Sequence, residues 1–236
     1  MGLVDAISFL SIIPVRHGSL EKVSTSQHWF PVVGLLLGVI SGGVGWIVSL
    51  YAEPLLAAVA ALATLSIITG LHHTDGLADF ADGLMGRGDS KKRLQIMRDK
   101  MVGTGGITAV ILCIACFLAS ASQVGGMEIF VAIIVAEVAA KYSMIVASYL
   151  GRPAAGGSGA TFCANMNRRQ LIISTAWWVV PVIFAPHMVL PMLAGVLTSI
   201  TILYIAKRTI HGMTGDVFGA INEASRAVSI AVVVSI

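Results

Sequence analysis

The chain has 236 residues, of which 56% are hydrophobic and only 11% are charged, with a formal net charge of +3 and a mean hydropathy of +0.88. Because soluble domains carry charge on about one residue in four, this composition excludes an ordinary soluble domain. It indicates a polytopic protein whose main partner is the lipid bilayer. We expect no nucleic-acid partner, and the three cysteines offer no disulfide framework.

The apolar runs, taken in chain order, predict an all-α polytopic membrane helix bundle in a single domain, residues 1–236. Residues 4–15 favour an interfacial helix, because no cleavage pattern of a secretory signal follows them. Six later runs are long enough to cross a hydrocarbon core of about 30 Å. A seventh run contains Glu223 and Arg226, and its strictly apolar end is too short to span. One interpretation is that the chain is truncated at this end. The runs are residues 31–50, 54–71, 106–122, 128–150, 171–185, 188–206 and 217–236. Six to seven transmembrane helices are expected.

The basic residues predict the orientation of this bundle. All 15 lysines and arginines except Lys141 lie before the first run or after the second, fourth and sixth runs. The positive-inside rule places such segments in the cytoplasm, together with the N-terminus. We therefore expect a polar active-site face on the cytoplasmic side of the membrane.

Acidic residues are concentrated in one segment. Five of the seven aspartates lie within residues 75–99, and Asp75, Asp79 and Asp82 are spaced i, i+4 and i+7. On a helix this spacing places three carboxylates on one face, where like charges repel by a few tenths of a kcal/mol per pair. A solvated helix face is the simpler interpretation. In so apolar a chain we favour a site for a hard divalent cation, Mg²⁺ or alternatively Mn²⁺.

Three glycine-rich segments, residues 98–106, 156–159 and 211–220, lie on the same predicted side as the aspartates. Free backbone N–H groups at a helix start bind phosphate well, although none of the segments matches the phosphate-loop pattern G-x-x-x-x-G-K-[ST]. Carboxylates for a metal, basic residues and glycine-lined helix starts are the parts that phosphoryl transfer requires. We interpret them as one shared site.

Two patterns lie inside predicted spans. Gly34, Gly38 and Gly42 recur every four residues and predict close packing of another helix. Glu137 and Lys141 form an i, i+4 pair of opposite charge, which either neutralises itself or faces the polar site. We favour the second alternative.

Three motifs resemble the cobalamin synthase family, the adenosylcobinamide-GDP ribazoletransferases. They are H-x-D-G-L-A-D-x-x-D-G at residues 73–83, L-Q-I-M-R-D at residues 94–99 with Gly103-Thr104, and T-G-D-x-x-G-A at residues 214–220. The entry to the first span, W-F-P-x-x-G at residues 29–34, is also similar. The resemblance extends from about Pro14 to Glu223. Phe80, where the family usually has a small polar residue, and Lys141, where arginine is expected, depart from the pattern.

The resemblance implies a Mg²⁺-dependent membrane enzyme in the last steps of cobalamin biosynthesis. Such an enzyme joins adenosylcobinamide-GDP to α-ribazole, or to α-ribazole 5′-phosphate, giving adenosylcobalamin or its 5′-phosphate and releasing GMP. The implied location is the cytoplasmic (inner) membrane of a prokaryote, and the oligomeric state is left open.

The resemblance also assigns roles to residues. His73 is the candidate base, a role that a neutral imidazole can fill near pH 7. The residues implied as catalytic are His73, Asp82 and Asp99. Those implied as metal ligands are Asp75, Asp79, Asp82 and Asp216. Those implied as substrate or phosphate contacts are Arg87, Arg93, Arg98, Lys100, Gly103, Thr104, Lys141, Thr214 and Gly215.

Two alternatives are weaker. Residues 79–87 also resemble the D-x-x-D-G-x-x-A-R opening of the CDP-alcohol phosphotransferases, but the second half of that motif is missing after Arg87. A cation-coupled transporter could use the aspartates as an ion site. Transporter sites lie at the bilayer midplane within repeated segments, whereas these acids flank a basic loop and no repeat is found.

Overall fold

The computed structural model describes residues 2–15, 18–154, 157–184 and 186–236. Within these ranges the chain forms α-helices and two short 3₁₀ turns, Gln27–Trp29 and Pro186–Met188, and has no β-strand. The helices are α1 (Gly2–Leu10), α2 (Leu20–Ser24), α3 (Phe30–Ser49), α4 (Pro54–Thr69), α5 (His72–Met85), α6 (Ser90–Ile96), α7 (Thr104–Ala121), α8 (Met127–Leu150), α9 (Ser158–Asn165), α10 (Arg168–Phe184), α11 (Val189–Thr209) and α12 (Gly215–Val233). The expectation of an all-α membrane bundle is confirmed.

Fewer helices than expected are long and apolar enough to cross a membrane alone. In the described ranges four qualify: α3 and α11 with their preceding turns, α7 and α8. A fifth is counted only if α4 and α5 form one span, but they are bent by 90°. Of the other predicted runs, α10 has only 17 residues and contains Pro181. Helix α12 buries Arg226 inside the bundle. Length and composition thus support four to five spans instead of six to seven.

The bend after α4 creates the platform for the acidic residues. Gly70 and Leu71 both have left-handed backbone angles, with φ of 61° at each. The N–H groups of these two residues donate to the carbonyls of Ile67 and Ser66, at 3.0 and 3.2 Å, and so close the end of α4. Helix α5, which carries the three aspartates, therefore begins at the end of α4 and turns away from its direction by 90°.

Helix α8 forms the centre of the bundle, where it packs against α3, α11 and α12. The glycine stripe of α3 makes the closest of these approaches. A Cβ atom on Gly34 would lie 2.7 Å from the Glu137 carbonyl oxygen, and one on Gly38 would lie 2.7 Å from the Cα atom of Ile134. The predicted packing role of the stripe is therefore confirmed.

Candidate active site

Helices α5 and α12 cross at two glycines. A Cβ atom on Gly76 would lie 3.0 Å from the Cα atom of Asp216, and one on Gly219 would lie 2.7 Å from the His73 carbonyl oxygen. Larger residues would force the two backbones apart. This crossing places Asp216 directly beside the first turn of α5, although the two motifs are distant in sequence.

Two of the three glycine-rich segments meet at the start of α12. Thr214 caps this helix, accepting a hydrogen bond from the Val217 N–H at 3.3 Å, and its hydroxyl also lies 3.3 Å from Asp216 Oδ2. The start of α9 packs against it, because a Cβ atom on Gly215 would lie 2.5 Å from Ser158 Oγ. Residues of two predicted segments, 157–159 and 214–219, therefore lie together, while Gly156 of the first segment is outside the described residues. That they form one functional site stays a prediction.

A cavity of about 200 Å³ lies between α1, α5, α8, α9 and α12, and we call it the α5–α12 pocket. Its polar lining includes His73, Asp75, Ser158 and Asp216. Its apolar wall consists of Met144 and three aromatic rings, Phe9, Phe162 and Phe218. The Phe162 ring meets the other two edge-on, at centroid distances of 5.1 and 5.7 Å. The pocket thus joins an acidic rim to a surface suited to a flat apolar ring.

His73 lines this pocket and is buried, with 7% of its surface exposed. Its Nδ1 atom has no hydrogen-bond partner among the described residues. Burial, and then the positive charges of Lys141 and Arg226, holds the pKa of His73 well below its usual value. The imidazole is therefore neutral near pH 7.

The carboxylates around the pocket repel one another. Burial is the main reason that the pKa of Asp79 is raised to about 6, and the negative charges of Asp75, Asp216 and Asp82 raise it further. Burial and Asp75 also raise the pKa of Asp216, against the opposing effects of the Thr214 hydroxyl and of Arg98. Such a set of carboxylates is stabilised by a bound cation.

The carboxylate oxygens suit Mg²⁺ chemically, since this ion prefers oxygen ligands. No group of three or more His, Cys, Asp or Glu side chains is arranged to hold a metal in the part of the chain that the structure describes. Mg²⁺ is commonly held by one or two carboxylates, with water and substrate phosphates completing the shell. One or two of Asp75, Asp79 and Asp216 suffice for such a partial shell.

Asp82 has a different environment from the one expected for a metal ligand. Its two carboxylate oxygens accept hydrogen bonds from the N–H groups of Gly103, at 2.7 Å, and Gly106, at 2.8 Å. These groups belong to the start of α7, whose unpaired N–H groups attract negative charge. The anion at this helix start is thus the carboxylate of Asp82. Because the Gly103 N–H group already donates to Asp82, the prediction that this group binds phosphate is wrong. Thr104, the first residue of α7, is exposed.

The basic residues after α5 divide into two kinds. The guanidinium group of Arg93 donates to the carbonyls of Gly83, at 2.9 Å, and Leu84, at 2.5 Å, and so caps the end of α5. It is therefore less free to contact phosphate than expected. Three others, Arg87, Arg98 and Lys100, are exposed. Asp99 is also exposed and accepts a hydrogen bond from the Met101 N–H at 3.1 Å, the geometry of a local turn.

Lys141 lies inside the bundle in a network of charged groups. Its Nζ atom donates to Asn222 Oδ1 at 2.6 Å and lies 3.7 Å from Glu137 Oε2. Arg226 pairs with Glu137 and, at 2.7 Å, with Glu223. Lys141 and Glu137 are fully buried. The pair thus neutralises itself within this network, which is the alternative that we did not favour. The role of Lys141 as a phosphate contact stays a prediction, and Arg226 lies inside the bundle instead of among the predicted cytoplasmic charges.

Several residues of the pocket carry no signal in the sequence. Ser158 belongs to a segment that was recognised, but no pattern distinguished it from the neighbouring glycines. The three phenylalanines come from α1, α9 and α12, and nothing in their local sequences indicates that they meet.

The fold and the site define a polytopic membrane protein with an acidic pocket at one end of its helix bundle. The family model described as cobalamin-5-phosphate synthase matches residues 2–234, and the chain belongs to this family. Neither the CDP-alcohol phosphotransferase nor the transporter alternative gains support from this match.

Relatives of similar length carry one common name. The chain is 34% identical, over 94% of each chain, to an adenosylcobinamide-GDP ribazoletransferase of Thermococcus kodakarensis. It is 34% identical to the protein of the same name from Pyrococcus abyssi, over 94% of this chain and 93% of that one. The protein so named from Methanocella arvoryzae is 29% identical, over 98% and 94% of the two chains. No solved structure matches the chain.

Proposed function

We propose that this chain catalyses the reaction named for its relatives, the transfer of adenosylcobinamide phosphate from adenosylcobinamide-GDP to α-ribazole or its 5′-phosphate, with release of GMP. The family match supports the reaction class. The observation that carries the proposal is the meeting of the α5 and α12 motifs, which brings the buried His73, the exposed Asp75 and the half-buried Asp216 to one pocket.

The proposed reaction is a substitution at phosphorus. A ribose hydroxyl of the acceptor attacks the phosphorus that stays attached to cobinamide, and a new P–O bond forms. The bond from this phosphorus to the bridging oxygen breaks, and GMP leaves with the electron pair. His73 accepts the proton of the attacking hydroxyl, a role supported by its place in the lining of the pocket and by the lowered pKa that keeps its imidazole neutral.

The other residues bind and orient the substrates. One or two of Asp75, Asp79 and Asp216 are proposed to hold Mg²⁺, with Mn²⁺ as an alternative. When bound, the ion supplies positive charge that offsets the charge of the pyrophosphate and of the departing GMP. Arg98, whose charge acts on Asp216, is the proposed pyrophosphate contact. The phenylalanine wall fits the flat aromatic base of the ribazole.

We place the pocket on the cytoplasmic side of a prokaryotic inner membrane. The exposed basic residues near the pocket end, among them Arg87, Arg98 and Lys100, support this orientation through the positive-inside rule. Both substrates are polar, and a pocket at the bundle end would meet them without a passage through the bilayer.

The reaction is tested by incubating the purified protein with adenosylcobinamide-GDP, α-ribazole and Mg²⁺, and measuring GMP together with the corrinoid product. Formation of both in equal amounts supports the proposal. Omission of α-ribazole is the control, since simple hydrolysis of the GDP ester would release GMP without the joined product.

A further inference from the structure

A second cavity, of about 570 Å³, lies at the ends of α8 and α11, next to the linkers that follow them. Its polar lining contains Arg152, Lys207 and His211, and no acidic residue is among the described residues that line it. Three basic side chains from two linkers and one helix thus converge on one concave surface. The α5–α12 pocket has a different lining, so this cavity is a separate feature of the molecule.

The other half of this cavity is apolar. Leu150, Ile200 and Tyr204 line it and are 55%, 42% and 57% exposed, on two helices that are long enough to cross the membrane. Side chains at this position face lipid tails when the protein is embedded. The guanidinium carbon of Arg208 lies 5.2 Å from the centre of the Tyr204 ring and adds a further cation beside the cavity.

The backbone around the cavity is fixed in a defined shape. The Met213 N–H donates to the Arg152 carbonyl at 2.8 Å, and the Ala154 N–H donates to the Met213 carbonyl at 3.1 Å. His211 has a φ of 66° and Gly212 a φ of 153°. Residues with a Cβ atom rarely adopt such positive angles. The linker after α8 is thereby joined to the linker after α11, which holds Arg152 and His211 at one site.

We propose that this cavity binds one phospholipid with an anionic headgroup, its phosphate between Arg152 and Lys207 and an acyl chain along the groove between α8 and α11. Positive charge above an apolar, lipid-facing groove matches the two halves of such a lipid. Basic pockets between helix ends are a known form of anionic lipid recognition. A soluble phosphate compound would leave the apolar half of the cavity unused.

The inference does not depend on the proposed reaction, and it is tested by binding alone. Native mass spectrometry of the purified protein, titrated with phosphatidylglycerol or with phosphatidylcholine, gives the affinity for the first bound lipid. We expect tighter binding of phosphatidylglycerol. In the double variant Arg152→Gln/Lys207→Gln this affinity should fall by about 25-fold, since each of the two basic residues near an anionic headgroup contributes about fivefold.

Two further variants separate a built site from diffuse attraction. Arg168→Gln/Arg169→Gln removes the same charge from exposed residues outside the cavity and should change the affinity by less than about twofold. Ile200→Trp fills the groove without changing charge and should weaken binding.

Equal losses in the two double variants, an unaffected Arg152→Gln/Lys207→Gln protein, or an unaffected Ile200→Trp protein would overturn the proposal. Displacement of the lipid by millimolar inorganic phosphate would identify a soluble anion site instead and would also overturn it. Thermal stability of each variant shows that the compared proteins are folded.

Discussion

Gly219 approaches Gly76 so closely that a Cβ atom on Gly219 would lie 3.0 Å from the Gly76 Cα atom. Neither glycine is at a turn, since both are within helices. Their small size allows α12 to lie against α5, and this contact brings Asp216 beside the α5 aspartates. Asp216 therefore reaches the α5 aspartates because the residues at positions 76 and 219 are glycines.

The variant Gly219→Ala should separate α5 from α12, because its new methyl group would meet the His73 carbonyl oxygen, a backbone atom that cannot simply rotate away. We expect kcat to fall by at least about tenfold, which corresponds to about 1.4 kcal/mol in the transition state. Gly43→Ala is the matched control, because no atom lies within 4 Å of its added Cβ atom. If the two variants are equally active, close contact at Gly219 is not required.

Asp79→Asn and Asp82→Asn should fail in different ways. Asp82 accepts two backbone N–H bonds, and an amide can replace only one acceptor oxygen. We expect Asp82→Asn to lower the free energy of unfolding by about 1–3 kcal/mol. Asp79 is repelled by its neighbours, so Asp79→Asn should keep or increase stability while turnover is lost. Thermal unfolding and GMP release distinguish the two, and equal stabilities would contradict the separate roles.

Lys141→Met tests whether this lysine belongs to the internal network or contacts substrate. Removing Lys141 leaves two carboxylates, Glu137 and Glu223, against one cation, Arg226. One negative charge of this network is then uncompensated, at a cost of about 3–5 kcal/mol. We therefore expect a large loss of stability, measured by thermal unfolding. Lys100→Met is the control, since Lys100 is exposed and should be neutral for stability. An unchanged unfolding temperature of Lys141→Met with a raised KM would restore the role in phosphate binding.

The orientation of the bundle is tested by labelling single cysteines in a background without the three native ones. Ser90→Cys and Arg169→Cys lie on the proposed cytoplasmic side. Both should react with a membrane-impermeant thiol reagent only after the inner membrane is opened. Glu53→Cys, in the short connection between α3 and α4, should react while that membrane is intact. The reverse pattern would invert the topology and place the pocket outside the cell.

Sequence alone predicted the features that depend on local composition. Helices α3, α7, α8 and α11 follow from the length of their apolar runs, and the glycine stripe of α3 follows from its spacing. The meeting of Asp216 with the α5 acids was expected from the topology, which returns both segments to one end of the bundle. The helices and the stripe each follow from a pattern within one segment, whereas the meeting follows from the order of the spans along the chain.

The errors concern side chains whose partner lies in another segment. The spacing of Asp82 is the same whether it faces a metal or the start of α7, and only the tertiary contact distinguishes the two. The same holds for Arg93, which caps α5, and for Arg226, which completes the network around Glu137. The bend at Gly70 and Leu71 was missed because the apolar run continues across it to Leu71.

The most direct test of the central claim compares wild-type protein with Asp216→Asn in the GMP-release assay, across a range of Mg²⁺ concentrations. EDTA should stop the wild-type reaction, and Mg²⁺ or Mn²⁺ should restore it better than Zn²⁺. For Asp216→Asn we predict a kcat at least about tenfold lower, equivalent to about 1.4 kcal/mol, and a weaker response to Mg²⁺. Unchanged kcat and Mg²⁺ dependence in this variant would contradict a shared site formed by α5 and α12.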